Sequence, residues 1–335
     1  MTPVTARGQA ARVARAAFER MPAGVRDLVR GNVAAVSGLG QLKRNQAVLA
    51  SQLATLAPPE PPSSVPDGRF PDGVRSRICS ESQLREPWFA AWSSALGEQP
   101  RANRKLWEHA YIAHALDALG CLQPGRRGLG FGVGREPLVS VFARQGCQVV
   151  ATDQPVRAEG ARSWANTGQH AYGLAALNRR GLCEPARFRA AVTFRQVDMR
   201  SVPTDLVDFD FCWSACSLEH LGTLDAGMAF VERSLATLCP GGIAVHTTEL
   251  NVSSDTATIA KGHTVLYRRS DLQALAQRLE GAGHEVAALD LASGHGVLDT
   301  YVDVPPYVDA PHLRLLYRNF VTTSVALVVR RRGSS

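Results

Sequence analysis

Glycines stand at every second position in RRGLGFGVGREPL, residues 126 to 138: Gly128, Gly130, Gly132 and Gly134, with Glu136 two positions further on. Acids and histidines recur downstream: Asp153 in ATDQ, Asp198 in QVDMR, Glu219 and His220 in SLEHLG, His246 and Glu249 in AVHTTEL. Alternating glycines at the end of an apolar run let the backbone turn sharply beneath a ligand. A carboxylate at a strand end accepts paired hydrogen bonds well, and His or Glu can carry a proton. Phosphate is not the expected ligand. A dinucleotide loop requires G-x-G-x-x-G, and no start position between 128 and 138 satisfies it. A Walker loop requires G-x-x-x-x-G-K-[ST], and no Lys follows. A ligand without phosphate needs only clearance for its bulk.

The elements that must position these residues follow from the pattern along the chain. After the amphipathic stretches REPWFAAWSSAL and NRKLWEHAYIAHALDAL, strand and helix alternate. GLGF reads as the first strand, with helix PLVSVFARQG after its loop. CQVVATD is a second strand ending on Asp153, and a polar insertion from Gln154 to Arg189 is expected to be helical. AAVTFRQVD is a third strand, ending on Asp198. VDFDFCWSA is a fourth strand. A helix over 225–238 closes on the turn CPGG, and GIAVHTTEL is a fifth strand. SDLQALAQRLEGAGH is a helix capped by Ser270; HEVAALDL and TTSVALVVRR are strands six and seven. The expectation is an α/β fold. It has a Rossmann-like seven-stranded, mostly parallel sheet with an antiparallel last strand and helices on both faces, plus an N-terminal helical extension. Ligands of such sheets lie at the carboxyl ends of the strands, beside strand one.

At 335 residues, with 45% apolar and 20% charged residues, the chain reads as a soluble globular protein. The first fifty residues carry eight Lys or Arg against Glu19 and Asp27, nearly all of the net charge of +7. The body therefore lacks the basic surface that nucleic acid needs. Residues 1–57 are expected to form a basic helical arm, 58–74 a Pro-rich linker and 75–335 the functional domain. Within the arm, ARVARAAFERM and VRDLVRGNVAAV read as helices. LKRNQAVLASQLATL spaces Leu42, Val48, Leu49, Leu53 and Leu56 in a near-heptad, too short by itself for a coiled coil. The arm is assigned to packing or self-association, with peripheral attachment to an anionic membrane as the sharper option. No apolar run is long enough to span a bilayer, no secretory leader is evident, and the seven scattered cysteines suit reduced thiols. The expected location is cytoplasmic.

Residues 103 to 331 resemble the class I S-adenosylmethionine-dependent methyltransferases, through GFGVG, ATDQ, QVDMRSVP, WSACSLEHLG, LCPGG and the terminal TTSVALVVRR. The resemblance implies S-adenosyl-L-methionine as cofactor. Gly130, Gly132 and Gly134 would pass under its methionine part. Asp153 and Gln154 would meet the ribose, Asp198 and Met199 the adenine, and Ser214 would face the methyl donor. The family often has an acid where this chain has Gly130, and Glu136 or a backbone carbonyl is the candidate to hold the methionine amino group instead.

His220 is the first candidate for base or substrate contact, followed by Glu219, Glu249 and His246; a packing role for His246 inside an apolar strand is the competing reading. Glu249 with Asp255 and His263 is too irregularly spaced for a metal site, so none is expected. The loop around VDVPPY is expected to close the acceptor pocket, with Tyr301, Tyr307 and His312 as lining. The acceptor is read as a small molecule or glycan, and the reaction as O-methylation of a sugar or glycan hydroxyl. N- or C-methylation of a small-molecule or lipid acceptor is the enzyme alternative, and a cofactor-binding scaffold or regulator the non-enzyme one.

Overall fold

The computed structural model describes residues 19, 21–56, 69–71, 73–154 and 173–333. Most of the expected helix ARVARAAFERM, most of the Pro-rich linker and the first part of the insertion after Gln154 lie outside these. The chain divides into two compact units, Met1–Thr55 and Leu56–Ser335. The first is dominated by one continuous helix, α1 (Ala23–Leu56), where the residue pattern had suggested separate pieces. No helix among the described residues is long and apolar enough to cross a membrane.

The second unit is built on a nine-stranded sheet. Strands β2 (Arg127–Phe131), β3 (Gln148–Asp153), β4 (Val192–Gln196), β5 (Phe209–Ala215) and β6 (Leu238–Asn251) are parallel, in the order β4-β3-β2-β5-β6. The order reverses at β2, the switch point that opens a crevice at the strands' carboxyl ends. The long β11 (Phe320–Arg330) runs antiparallel to β6, in register from Thr322 opposite Asn251 to Arg330 opposite Ile243. This is the Rossmann-like sheet with an antiparallel last strand that the alternation of elements implies.

Three details depart from expectation. HEVAALDL is no single strand: β7 (Glu285–Val286) pairs with β11, whereas β8 (Leu289–Asp290) leaves the sheet to pair with β1 (Ser76–Arg77). Ala287 and Ala288 make the crossing, the first donating to Val328 O and the second accepting from Ser76 N. Two further strands, β9 (Val302–Asp303) and β10 (Arg314–Tyr317), extend the sheet past β11. They are too short to register as alternation. CPGG is no helix-closing turn; it forms the start of β6, a register shift with Gly241 at φ +79°.

Helices cover both faces. Leu129 and Phe131 face one side and join the core with Phe230 on α6 (Leu224–Leu235) and Leu275 on α7 (Arg269–Gly281). Phe211 and Trp213 face the other side, where each meets the edge of Phe142 on α4 (Leu138–Gln145). Capping starts the helices that flank the crevice. Asn103 accepts from the backbone of Lys105 and Leu106 to begin α3 (Arg104–Ala118). Two more helices of this unit, α2 (Pro87–Ala95) and α5 (Pro185–Ala191), each begin on a proline, whose fixed φ suits the first turn.

Candidate active site

The glycine series does two different jobs. A Cβ on Gly128 would sit 2.4 Å from Phe211 Cζ, and one on Gly130 2.5 Å from Trp213 Cζ2. These two glycines seat a pair of stacked aromatic rings whose centroids are 5.9 Å apart. Gly130 is thus a packing glycine, not the cofactor contact expected. Gly132 and Gly134 are the true loop residues, with left-handed φ values of +58° and +50° that suit glycine. A Cβ on Gly132 would lie 2.8 Å from Ser217 Oγ and 3.3 Å from Met199 Sδ, so this turn is a cradle with no room for a side chain.

The loop borders a cleft of about 490 Å³ at the switch point, a volume suited to a nucleoside-sized ligand. Gly132, Gly134, Glu136, Asp153, Gln154, Asp198, Met199 and His220 all line it. Asp153, at the end of β3, is buried and accepts the backbone N–H of Gln154. Asp198 forks onto the Arg200 guanidinium through bonds of 2.8 to 3.1 Å, and this pairing holds its carboxyl below the usual range.

Glu136 follows the glycine turn and lines the cleft. Its buried carboxyl accepts the Trp213 indole N–H at 2.5 Å, and His109 Nε2 lies 3.9 Å away. Burial pushes Glu136 up to about 8 and His109 down to about 4. Glycine on β2 admits the Trp213 ring, and the ring's N–H holds the Glu136 carboxyl in place. Trp213, Lys105 and His109 were missed by sequence reasoning. The signal was a large residue on β5 opposite a small one on β2, and the i, i+4 spacing of Lys105 and His109 along one side of α3.

His220 and Glu219 lie on the 3-10 turn Leu218–His220 after β5. His220 Nδ1 is 2.9 Å from the His263 carbonyl, which makes it the protonated nitrogen and leaves Nε2 as acceptor, 3.8 Å from Glu219 Oε1. Glu219 is fully buried behind it. Its Oε2 accepts from Thr248, and its Oε1 has no hydrogen-bond partner among the described residues. Burial, with Glu249 nearby, pushes Glu219 up to about 8, and burial pushes His220 down to about 4. Glu249 does not border the cleft. It is held by Arg104 at 2.6 Å and by Thr322. Arg104 also meets Glu108 and Ser324, which pins the start of α3 to β6 and β11. Cys216, Glu219 and Glu249 bring ligand atoms within 4.8 Å of one another. Arg104 already supplies positive charge there, so the group reads as part of a charge network and not as a metal site.

His246 and Ser214 require correction as site residues. Alternation along β5 and β6 turns both toward α6, away from the cleft. His246 Nδ1 faces Ser214 Oγ at 2.8 Å and Nε2 faces Ser234 Oγ at 2.9 Å. Burial pushes it down to about 3, and with both nitrogens engaged it is a neutral packing histidine. Near the start of α3, Asp303 binds His312 Nδ1 at 2.7 Å, and Tyr307 packs edge-on against that ring.

No family model and no curated protein matches the chain. Solved structures do. It is similar to an O-methyltransferase family protein from Burkholderia thailandensis, with 12% identity over 69% of this chain and 60% of that one, and a TM-score of 0.39. It is similar to magnesium protoporphyrin IX methyltransferase from Synechocystis with bound S-adenosylhomocysteine, at 12% identity over 75% and 100% of the two chains, TM-score 0.41. A third is a phosphoethanolamine N-methyltransferase from Haemonchus contortus, at 20% identity over 52% and 37%, TM-score 0.35.

Proposed function

We propose that this chain is a class I S-adenosylmethionine-dependent methyltransferase acting on a hydroxyl of a sugar or glycan. The observation that carries the reading is the row of acids along a cleft without a phosphate loop. Asp198, Asp153 and Glu136 stand in order around the glycine cradle at the switch point. That order suits adenine, ribose and a cationic amino-acid tail, and the side-chain-free turn at Gly132 suits the bulk of the tail.

When bound, S-adenosylmethionine supplies a methyl group already activated on a positively charged sulfur. The chain's residues must then hold the acceptor in line at about 3 Å, exclude water and take up the acceptor's proton. A neutral amine needs no such base, whereas a hydroxyl benefits from one. His220, with Glu219 behind it, presents a proton-accepting pair at the cleft wall, and a carboxyl near 8 is matched to that task. With the cofactor bound, the His220–Glu219 pair would take up the proton that the acceptor hydroxyl gives up on methylation. Glu249 and Arg104 serve as positioning residues behind the acceptor.

Calorimetric titration with S-adenosylmethionine and S-adenosylhomocysteine tests the cofactor assignment: wild type should bind both, and Asp153→Ala should bind at least tenfold more weakly. Undiminished binding by that variant sinks it. Labelled methyl transfer to a panel of sugars and amines then tests the acceptor class; transfer to amines alone rejects the hydroxyl reading.

A further inference from the structure

Nine of the twelve exposed large apolar residues among the described residues fall between Met21 and Leu56. Of the eight within α1, all but Val48 fall on one repeat: Val25, Leu28, Leu39, Leu42, Leu49, Leu53 and Leu56 follow steps of three, four and their sums to seven and eleven. This is the a and d spacing of a heptad: Val25, Leu39 and Leu53 at a, and Leu28, Leu42, Leu49 and Leu56 at d. In the sequence, Asn32 and Gln46 complete the a series. Leu39 is 68% exposed and Leu56 80%. The short near-heptad visible in LKRNQAVLASQLATL is therefore the last part of a repeat that one unbroken helix carries for its whole length.

We infer that α1 is one strand of a parallel, two-stranded coiled coil, and that its partner is α1 of a second copy of this chain. A 3.5-residue period sustained over 34 residues keeps a narrow stripe facing one neighbouring helix. Leucine at d with polar residues at two a positions favours two parallel strands in fixed register, because like a residues then meet. Arg26, Asp27 and Arg44 fall at b, c and f, away from the stripe. Gln46 inside the stripe argues against a membrane as occupant, since no second polar group would meet it in lipid. The helix spans about 50 Å. Two such stripes bring together fourteen apolar side chains, on the order of 1,000–1,500 Å² of surface. That is the size of a stable specific interface.

Sedimentation and oxidative cross-linking of the full-length chain decide the matter. Wild type should sediment as a species of twice the 36.0 kDa chain mass. Leu42→Cys should cross-link to dimers on mild oxidation, while Arg44→Cys on the outer face should not. Leu42→Asp with Leu49→Asp should give a monomer whose body still unfolds cooperatively. A monomeric or trimeric wild type, equal cross-linking from positions 42 and 44, or a dimer that survives both aspartates would overturn the inference. So would a monomer that co-sediments with phosphatidylserine vesicles.

Discussion

Glu136→Gln isolates the titration of the buried acid in the cleft. In the free protein burial holds the Glu136 carboxyl near 8, so at pH 6 about one molecule in a hundred carries the carboxylate. In the proposed complex the cofactor's ammonium would pair with that carboxylate. Binding therefore releases a proton below pH 8, and affinity should rise by about tenfold per pH unit between pH 5.5 and 7, where the cofactor amine stays fully protonated. Each decade corresponds to about 1.4 kcal/mol of binding free energy. Toward pH 8 the gain levels off as Glu136 ionises and the cofactor's own amine begins to lose its proton. Calorimetry in phosphate and in Tris, whose ionisation enthalpies differ, counts the released proton directly; nearly one per molecule is expected at pH 6.5. In Glu136→Gln the proton release should vanish and the affinity should become flat over this range. An affinity of wild type that does not change between pH 5.5 and 7, or a slope that persists unchanged in the glutamine variant, would refute the assignment of Glu136 to the amino group.

Glu219→Gln should lower the rate of methyl transfer by about 10²–10⁴-fold, with cofactor binding within twofold of wild type. The wild-type kcat should rise with pH toward a plateau above about 8, because the proton-accepting form is the ionised one; a kcat that falls through this range contradicts the base. Gly130→Asp should lower Tm by several degrees, since its Cβ would lie 2.5 Å from both the Trp213 ring and Val133 Cγ1. Gly130→Ala, which adds the Cβ alone, should show most of the same loss by differential scanning calorimetry; an alanine variant as stable as wild type would reject that cause. His246→Ala strands the buried Ser214 hydroxyl, while Ser234 keeps its bond to the Val231 carbonyl, and should destabilise the body by about 1–3 kcal/mol in urea unfolding, with kcat/KM kept within threefold. A large kinetic loss would return His246 to the site.

Much of the site was legible because strand ends are legible. Asp153 and Asp198 stand where apolar alternation stops, and both border the cleft. Gly132 and Gly134 were legible as a turn. What failed was reading function from residue type inside a strand. Gly130, Ser214 and His246 lie on β2, β5 and β6, where a side chain's direction depends on register, and register is a property of the assembled sheet. The roles of Trp213 and Glu136 were hidden for a related reason: each makes sense only beside the other, and 77 positions separate them. The sixth strand misled because HEVAALDL has the composition of one strand, while its halves find different partners. Arg104, which ties α3 to two strands, carries no local signature at all.

The pairing of β1 has a bearing on synthesis. Ser76 and Arg77 align with Leu289 and Asp290, and Ile78 with Val325, more than two hundred positions downstream. A chain emerging from the ribosome makes its early elements first, yet this edge must wait for nearly the whole body to appear before it has anything to pair with. Long-range closure of this kind slows folding. It also fixes where the chain can be shortened. Removing residues up to about 70 leaves the seam whole, whereas a start beyond Arg77 removes half of it and exposes the backbone of β8 to whatever strand comes next.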